Sequence, residues 1–152
     1  MNNISFVKTM KKTSIPRIIL TLVALLALSV MPVSAQTFRN SMNSTVGKID
    51  SDGTIRNSMN SKIGKIESDG TIRNSNNSKI GKIESDGTIR NSNNSTVGKV
   101  EKDGTVRNSM NSVMGRIDAD GTVRNSMNST LGSARGVKRE HAAVFFFFNN
   151  LQ

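Results

Sequence analysis

The 152-residue chain carries 21 Lys/Arg against 11 Asp/Glu, a formal net charge of +10, and contains no Cys, Trp or Tyr. The missing cysteine excludes a disulfide framework, thiol catalysis, a thiolate-bound metal and the lipidated cysteine of a bacterial lipoprotein. The missing Trp and Tyr remove the usual stacking platforms for sugars and nucleic-acid bases.

Residues 1–17 hold Lys8, Lys11, Lys12 and Arg17 and no acidic residue, and the apolar run IILTLVALLALSV follows from Ile18 to Val30. MPVSA comes next, with Val33 and Ala35 at the small-residue positions of a signal-peptidase site. A basic start, a short apolar centre and an A-x-A-like end predict a secretory signal over 1–35, cleaved after Ala35. The rival, a membrane anchor, needs about 20 apolar residues, more than this run supplies. The expected product is exported, periplasmic or extracellular, with no transmembrane segment of its own and no nucleic-acid partner. It keeps 17 Lys/Arg against 11 Asp/Glu, and these charges recur at fixed repeat positions, as on a solvated β surface.

Self-similarity dominates the chain from Asn40 onward. The complete repeats are NSMNSTVGKIDSDGTIR (40–56), NSMNSKIGKIESDGTIR (57–73), NSNNSKIGKIESDGTIR (74–90), NSNNSTVGKVEKDGTVR (91–107) and NSMNSVMGRIDADGTVR (108–124), and a partial copy covers 125–132. Each reads as a strand such as TVGKID, a turn at Asp52-Gly53 and a strand such as GTIRN. A three-residue loop, Ser51-Asp52-Gly53 with Gly53 left-handed, sets Ile49 opposite Ile55, and apolar cross-strand pairs favour it over a two-residue turn. Asn and Ser in NSMNS bond nearby backbone and turn the chain into the next unit. Val46 and Ile49 share one face only if the strand is irregular, so Gly47 marks a bulge or a close backbone approach; otherwise V-G-K-I serves two interfaces.

One 17-residue unit cannot bury enough to fold alone, so stability must come from neighbouring units. The expected fold is all-β: five tandem hairpins over 36–132, closing into a five-fold symmetric ring that removes exposed strand edges. An open stack is the alternative.

The segment 133–152 breaks the period. GVKREHAAVFFFF (136–148) is basic first and then apolar from Ala142 to Phe148, too short to span a membrane. It reads as a plug on the ring, either a short helix opening at Lys138–Glu140 or a buried strand. The alternative is a docking segment carried by Phe145, Phe146, Phe147 and Phe148.

Repeats of the form G-K-I-D-S-D-G-T-I-R, behind a signal and ahead of A-A-V-F-F-F-F, resemble the five-fold β-flower proteins, exported repeat proteins of Bacteroidetes-type bacteria. The likeness covers roughly 40–148. It implies a closed, five-fold symmetric β arrangement and an exported location, and it brings no activity and no functional residues.

The chemistry on offer is modest. The Asp50/Asp52, Glu67/Asp69, Glu84/Asp86 and Asp118/Asp120 turns suggest calcium, but the further ligands and distal Glu of an EF-hand loop are missing, so they read as turn residues. Arg56, Arg73, Arg90, Arg107 and Arg124 would form a ring able to grip an anionic glycan through forked hydrogen bonds. Their competing role is a solvated face paired with Asp or Glu, and Lys48, Lys65, Lys82, Lys99 and Arg116 read likewise. His141, the only histidine, has no nucleophile to serve, and the acids recur in near-identical settings where acid–base catalysis needs different ones. No catalytic residue, metal or cofactor is expected. The reading is an exported, non-enzymatic structural or binding module for a cell-envelope protein or an anionic glycan. The alternative is a self-assembling extracellular fibre or adhesin-like protein.

Overall fold

Each T-V-G-K-I and T-I-R-N segment alternates between two faces, because successive side chains of a strand point oppositely. Burial follows that alternation in a computed structural model of the chain, which describes residues 36–149 and Leu151. The expected signal at 1–35 lies outside the described residues. The strands are β1 (Gln36–Asn40), β2 (Thr45–Ile49), β3 (Thr54–Asn57), β4 (Lys62–Ile66), β5 (Thr71–Asn74), β6 (Lys79–Ile83), β7 (Thr88–Asn91), β8 (Thr96–Val100), β9 (Thr105–Asn108), β10 (Val113–Ile117), β11 (Thr122–Asn125) and β12 (Thr130–Ser133). One helix follows, α1 (Arg139–Phe146). In β2, Gly47 and Ile49 are buried with Lys48 between them half-exposed, and in β3 Ile55 is buried beside half-exposed Arg56.

Every strand pairs antiparallel with its sequence neighbours, and β1 pairs with β12 to close a barrel. The circle therefore holds twelve strands. Five pairs joined by acidic turns, β2–β3 through β10–β11, account for ten of them. The remaining place is filled by β12 and β1, which arrive from opposite ends of the repeat region. Counting repeats from Asn40 hides this split pair: TFRN at 37–40 repeats TIRN at 54–57, and TLG at 130–132 repeats TVG at 45–47.

The register is the one that buried pairs demand. Ile49 faces Ile55, Lys48 faces Arg56 and Gly47 faces Asn57. Asp50 N donates to Thr54 O at 2.9 Å and Gly53 N to Asp50 O at 2.9 Å, closing a three-residue loop with Gly53 at φ 83°. On the opposite rim Asn40 N donates to Ser44 O at 3.0 Å and Asn43 N to Asn40 O at 2.9 Å, with Asn43 at φ 62°. The Asn40 side chain completes that turn, its Oδ1 accepting from Met42 N and Ser44 N at 3.1 and 2.9 Å. The bulge expected beside the strand glycine is present: Ile55 faces Gly64 and Arg56 faces Lys62, leaving Ile63 as the extra residue.

The core is a row of Ile and Val from all around the wall, joined by Phe38 and by Ala142, Ala143, Val144, Phe148 and Leu151 of the C-terminal segment. That segment is the expected plug, and it is helical. A closed barrel has no free edge to pair with an inserted strand, whereas a helix satisfies its own backbone. Phe38 fixes the plug, stacking on Phe145 with ring centroids 4.0 Å apart and meeting Phe146 edge-on at 6.1 Å.

The strand glycines make room for the carbonyl of the arginine on the neighbouring strand and, except at Gly64, for the plug as well. A Cβ at Gly115 would lie 2.8 Å from the Phe147 ring, one at Gly132 would lie 3.1 Å from Phe146, and one at Gly98 would run into Phe148. A Cβ at Gly47 would lie 3.0 Å from the Phe145 ring, and one at Gly81 would reach ordinary contact with Leu151 at 3.4 Å. Phe145, Phe146, Phe147, Phe148 and Leu151 thus visit β2, β12, β10, β8 and β6 in turn, following the order of strands around the circle.

Candidate functional site

The arginines sit on the outer face because they alternate with the buried Ile or Val of the same strand. Arg56 Nε donates to Asp50 Oδ2 at 2.7 Å and Nη1 to Asn60 O at 3.1 Å. Arg73, Arg90, Arg107 and Arg124 repeat the arrangement with Glu67, Glu84, Glu101 and Asp118 at 2.9, 3.6, 3.0 and 2.9 Å. The five expected ring members are therefore brought to one level, each tied to a carboxylate and to a turn carbonyl. Such exposed pairs contribute little stability, about 0–1 kcal/mol each, but they occupy donors that an anionic glycan would need.

A sixth member was hidden with the split pair. Arg39 occupies the equivalent place on β1, and its Nη1 donates to Asn43 O at 2.9 Å. Arg135 falls where the other units carry their acid, and among the described residues Arg39 pairs with no carboxylate.

The acidic turns spend their oxygens internally. Asp52 accepts from Thr54 N at 3.0 Å and from Thr54 Oγ1 at 2.9 Å. These bonds favour the charged form and hold Asp52, Asp69, Asp103 and Asp120 below the usual carboxylate range. Asp86, with the same Thr88 bonds and Lys99 beside it, is pulled down to about 2. Among the described residues no three His, Cys, Asp or Glu side chains stand close enough to hold a metal ion. His141 is pushed below its ordinary value by burial, with Lys138 adding to the effect.

Phe145–Phe148 lie inside the ring, Phe148 buried and the other three half-buried. Beside the plug's entry an open cleft of about 400 Å³ is lined by Asp118, Ala119, Lys138 and Arg139 among others. Arg139 is already engaged there, its Nη1 donating to Lys102 O at 2.7 Å.

The repeats carry one further signal that neither charge nor nucleophilicity marks. The central residue of N-S-x-N-S is Met at 42, 59, 110 and 127 and Asn at 76 and 93, and the four methionines stand exposed at turn tips.

A protein-family model described as "5-fold beta-flower protein" matches residues 35–150. No curated protein and no solved structure matches the chain.

Proposed function

We propose that this chain, which belongs to the 5-fold beta-flower protein family, is an exported, non-enzymatic binding or structural module that presents the turns of a closed β-barrel to a partner in the cell envelope. The observation that carries the reading is where the chemistry goes. Lumen, carboxylates and arginines are each engaged by the fold itself, and the rim turns are left facing outward. Five near-equivalent hairpins and one split pair then offer repeated contacts of a single kind.

Two other readings fit less well. A cross-β fibre needs a free strand edge, and the barrel closes on itself. A membrane-spanning barrel needs an outward apolar band roughly 25 Å tall. These strands have four or five residues, under about 17 Å at the usual rise, and their outer face carries Lys48 and Arg56. An anionic glycan remains a candidate partner through the arginine level, with Arg39 as its least engaged member.

Expression of the full chain in a Gram-negative host, followed by fractionation and N-terminal sequencing, tests the address. A product beginning at Gln36 in the periplasm or medium is expected. An uncleaved product held in the cytoplasm overturns export, and turnover of a substrate library by the purified product overturns the non-enzymatic reading.

A further inference from the structure

The N-S-x-N-S turns stand side by side on one rim of the barrel. Among the described residues the exposed large apolar side chains are Met42, Met59, Ile63, Met110, Val113 and Met127, and all belong to that end. The four methionines are 79–81% exposed. They sit on the β9–β10, β11–β12, β1–β2 and β3–β4 turns, which are consecutive around the circle because β1 adjoins β12. They therefore form one unbroken arc across the seam. The fold does not ask for methionine there, since Asn76 and Asn93 occupy the same place in turns of the same geometry (φ 67° and 64° at Asn77 and Asn94). Inside the arc, at the glycine level next to the rim, lie the half-buried rings of Phe145, Phe146 and Phe147.

Charge selects the occupant. The rim segments 40–46, 57–63, 74–80, 91–97, 108–114 and 125–131 contain no Asp or Glu, and their only charges are Lys62 and Lys79. The guanidinium groups lean toward this end, each with Nη1 on the carbonyl of a rim Asn, as Arg39 is on Asn43 and Arg124 on Asn128. The turn acids, Asp52 and its equivalents, lie on the opposite rim. We propose that this rim docks on an anionic lipid bilayer, with the methionine arc entering the headgroup–acyl boundary and Lys62, Lys79 and the carboxylate-free Arg39 facing lipid phosphates. Unbranched, polarizable methionine suits a fluid, irregular surface. A second copy fits worse, because rim-to-rim contact would bring like charges together. The inference deepens the reading of a rim-presenting module; it is tested in vitro, where export plays no part, so its failure leaves that address untouched.

The test is flotation of the chain from Gln36 to Gln152, which contains every described strand, the closure and the plug. The vesicles are phosphatidylglycerol/phosphatidylethanolamine or phosphatidylcholine alone. Binding to the anionic vesicles is expected, weakened by high salt, with little binding to phosphatidylcholine. Replacing all four methionines by Asn should lower partitioning by about ten-fold or more, with the thermal melt unchanged. Lys62→Gln and Lys79→Gln should each lower it by about five-fold. Absence of binding to either vesicle, or full binding by the four-Asn variant, overturns the proposal. Equal, salt-insensitive binding to both vesicles overturns its anionic part. Sedimentation velocity showing that the parent self-associates and the four-Asn variant does not would assign the arc to a second copy instead.

Discussion

The two rims of the barrel are built from the same three-residue turn and behave as different materials. On the acidic rim the left-handed position is always glycine, as at Gly53 and Gly70, and each such turn is bonded to the next hairpin. Gly53 O accepts from Ile66 N and Gly70 O from Ile83 N, both at 2.9 Å. A Cβ at Gly53 would collide with the Ile66 carbonyl. On the other rim the left-handed residue is always Asn, tolerated at positive φ, and among the described residues no backbone bond joins one N-S turn to its neighbour. One end is interlocked through its glycines, and the other is a set of free tips whose central residue is Met or Asn.

That contrast can be broken in graded steps. The largest effect should come from a chain ending after Val137, which removes the plug that enters beside the interlocked rim. Losing burial of Val144, Leu151 and four phenylalanines costs on the order of 10 kcal/mol, comparable to the whole stability of a domain. Circular dichroism should show no cooperative melt, and a normal melt would mean that the wall stands by itself. Phe38→Ala keeps the plug but removes its stacking partner, and should cost about 3–5 kcal/mol in guanidinium unfolding.

Gly70→Ala and Asn60→Ala then compare the rims directly. The first adds left-handed strain and a collision with the Ile83 carbonyl, for about 3 kcal/mol; the second adds strain alone, about 1 kcal/mol. Equal losses would erase the distinction. Acid should separate the rims as well. The turn carboxylates have folded pKa values below 3.8, about 2 for Asp86. Their support is therefore complete above pH 3.8 and lost as pH falls through the folded values. Protection of the Thr54, Thr71 and Thr88 amides against hydrogen exchange, taken relative to the intrinsic rate at each pH, should fall over that interval. The Ser44 and Ser61 amides, bonded to Asn side chains, should hold steady. The smallest effect is expected for Met59→Asn, within about 0.5 kcal/mol of the parent, as suits a tip that is 79% exposed.

What could be read from the sequence was local. The Ile49–Ile55 register, the left-handed Gly53, the irregularity at the strand glycine and the pairing of Arg56 with a nearby acid all follow from chemistry within one repeat. The choice of helix for the plug, and its matching to Gly47, Gly98, Gly115 and Gly132, involve residues as remote in the chain as Gly47 and Phe145, and no periodicity relates them. Phe38 and Arg39 went unassigned, because a count that opens on a full repeat discards the half that precedes it. The methionines were silent because a turn tip with no ionisable group raises no chemical question. Only its exposure does.

The seam between β1 and β12 has a consequence for the order in which the molecule comes into being. The other strand junctions join consecutive strands, while this one joins residues such as Asn40 and Gly132. Loops this short close within microseconds, so hairpins near the start are sampled as soon as they are made, but none is stable by itself. Until the last strand arrives they remain an open ribbon with the Ile and Val row facing water. Completion waits on residues 130–148, which bring the closing strand and the phenylalanines. A chain made N-terminus first is therefore expected to stay pliable until β12 and the plug are in place.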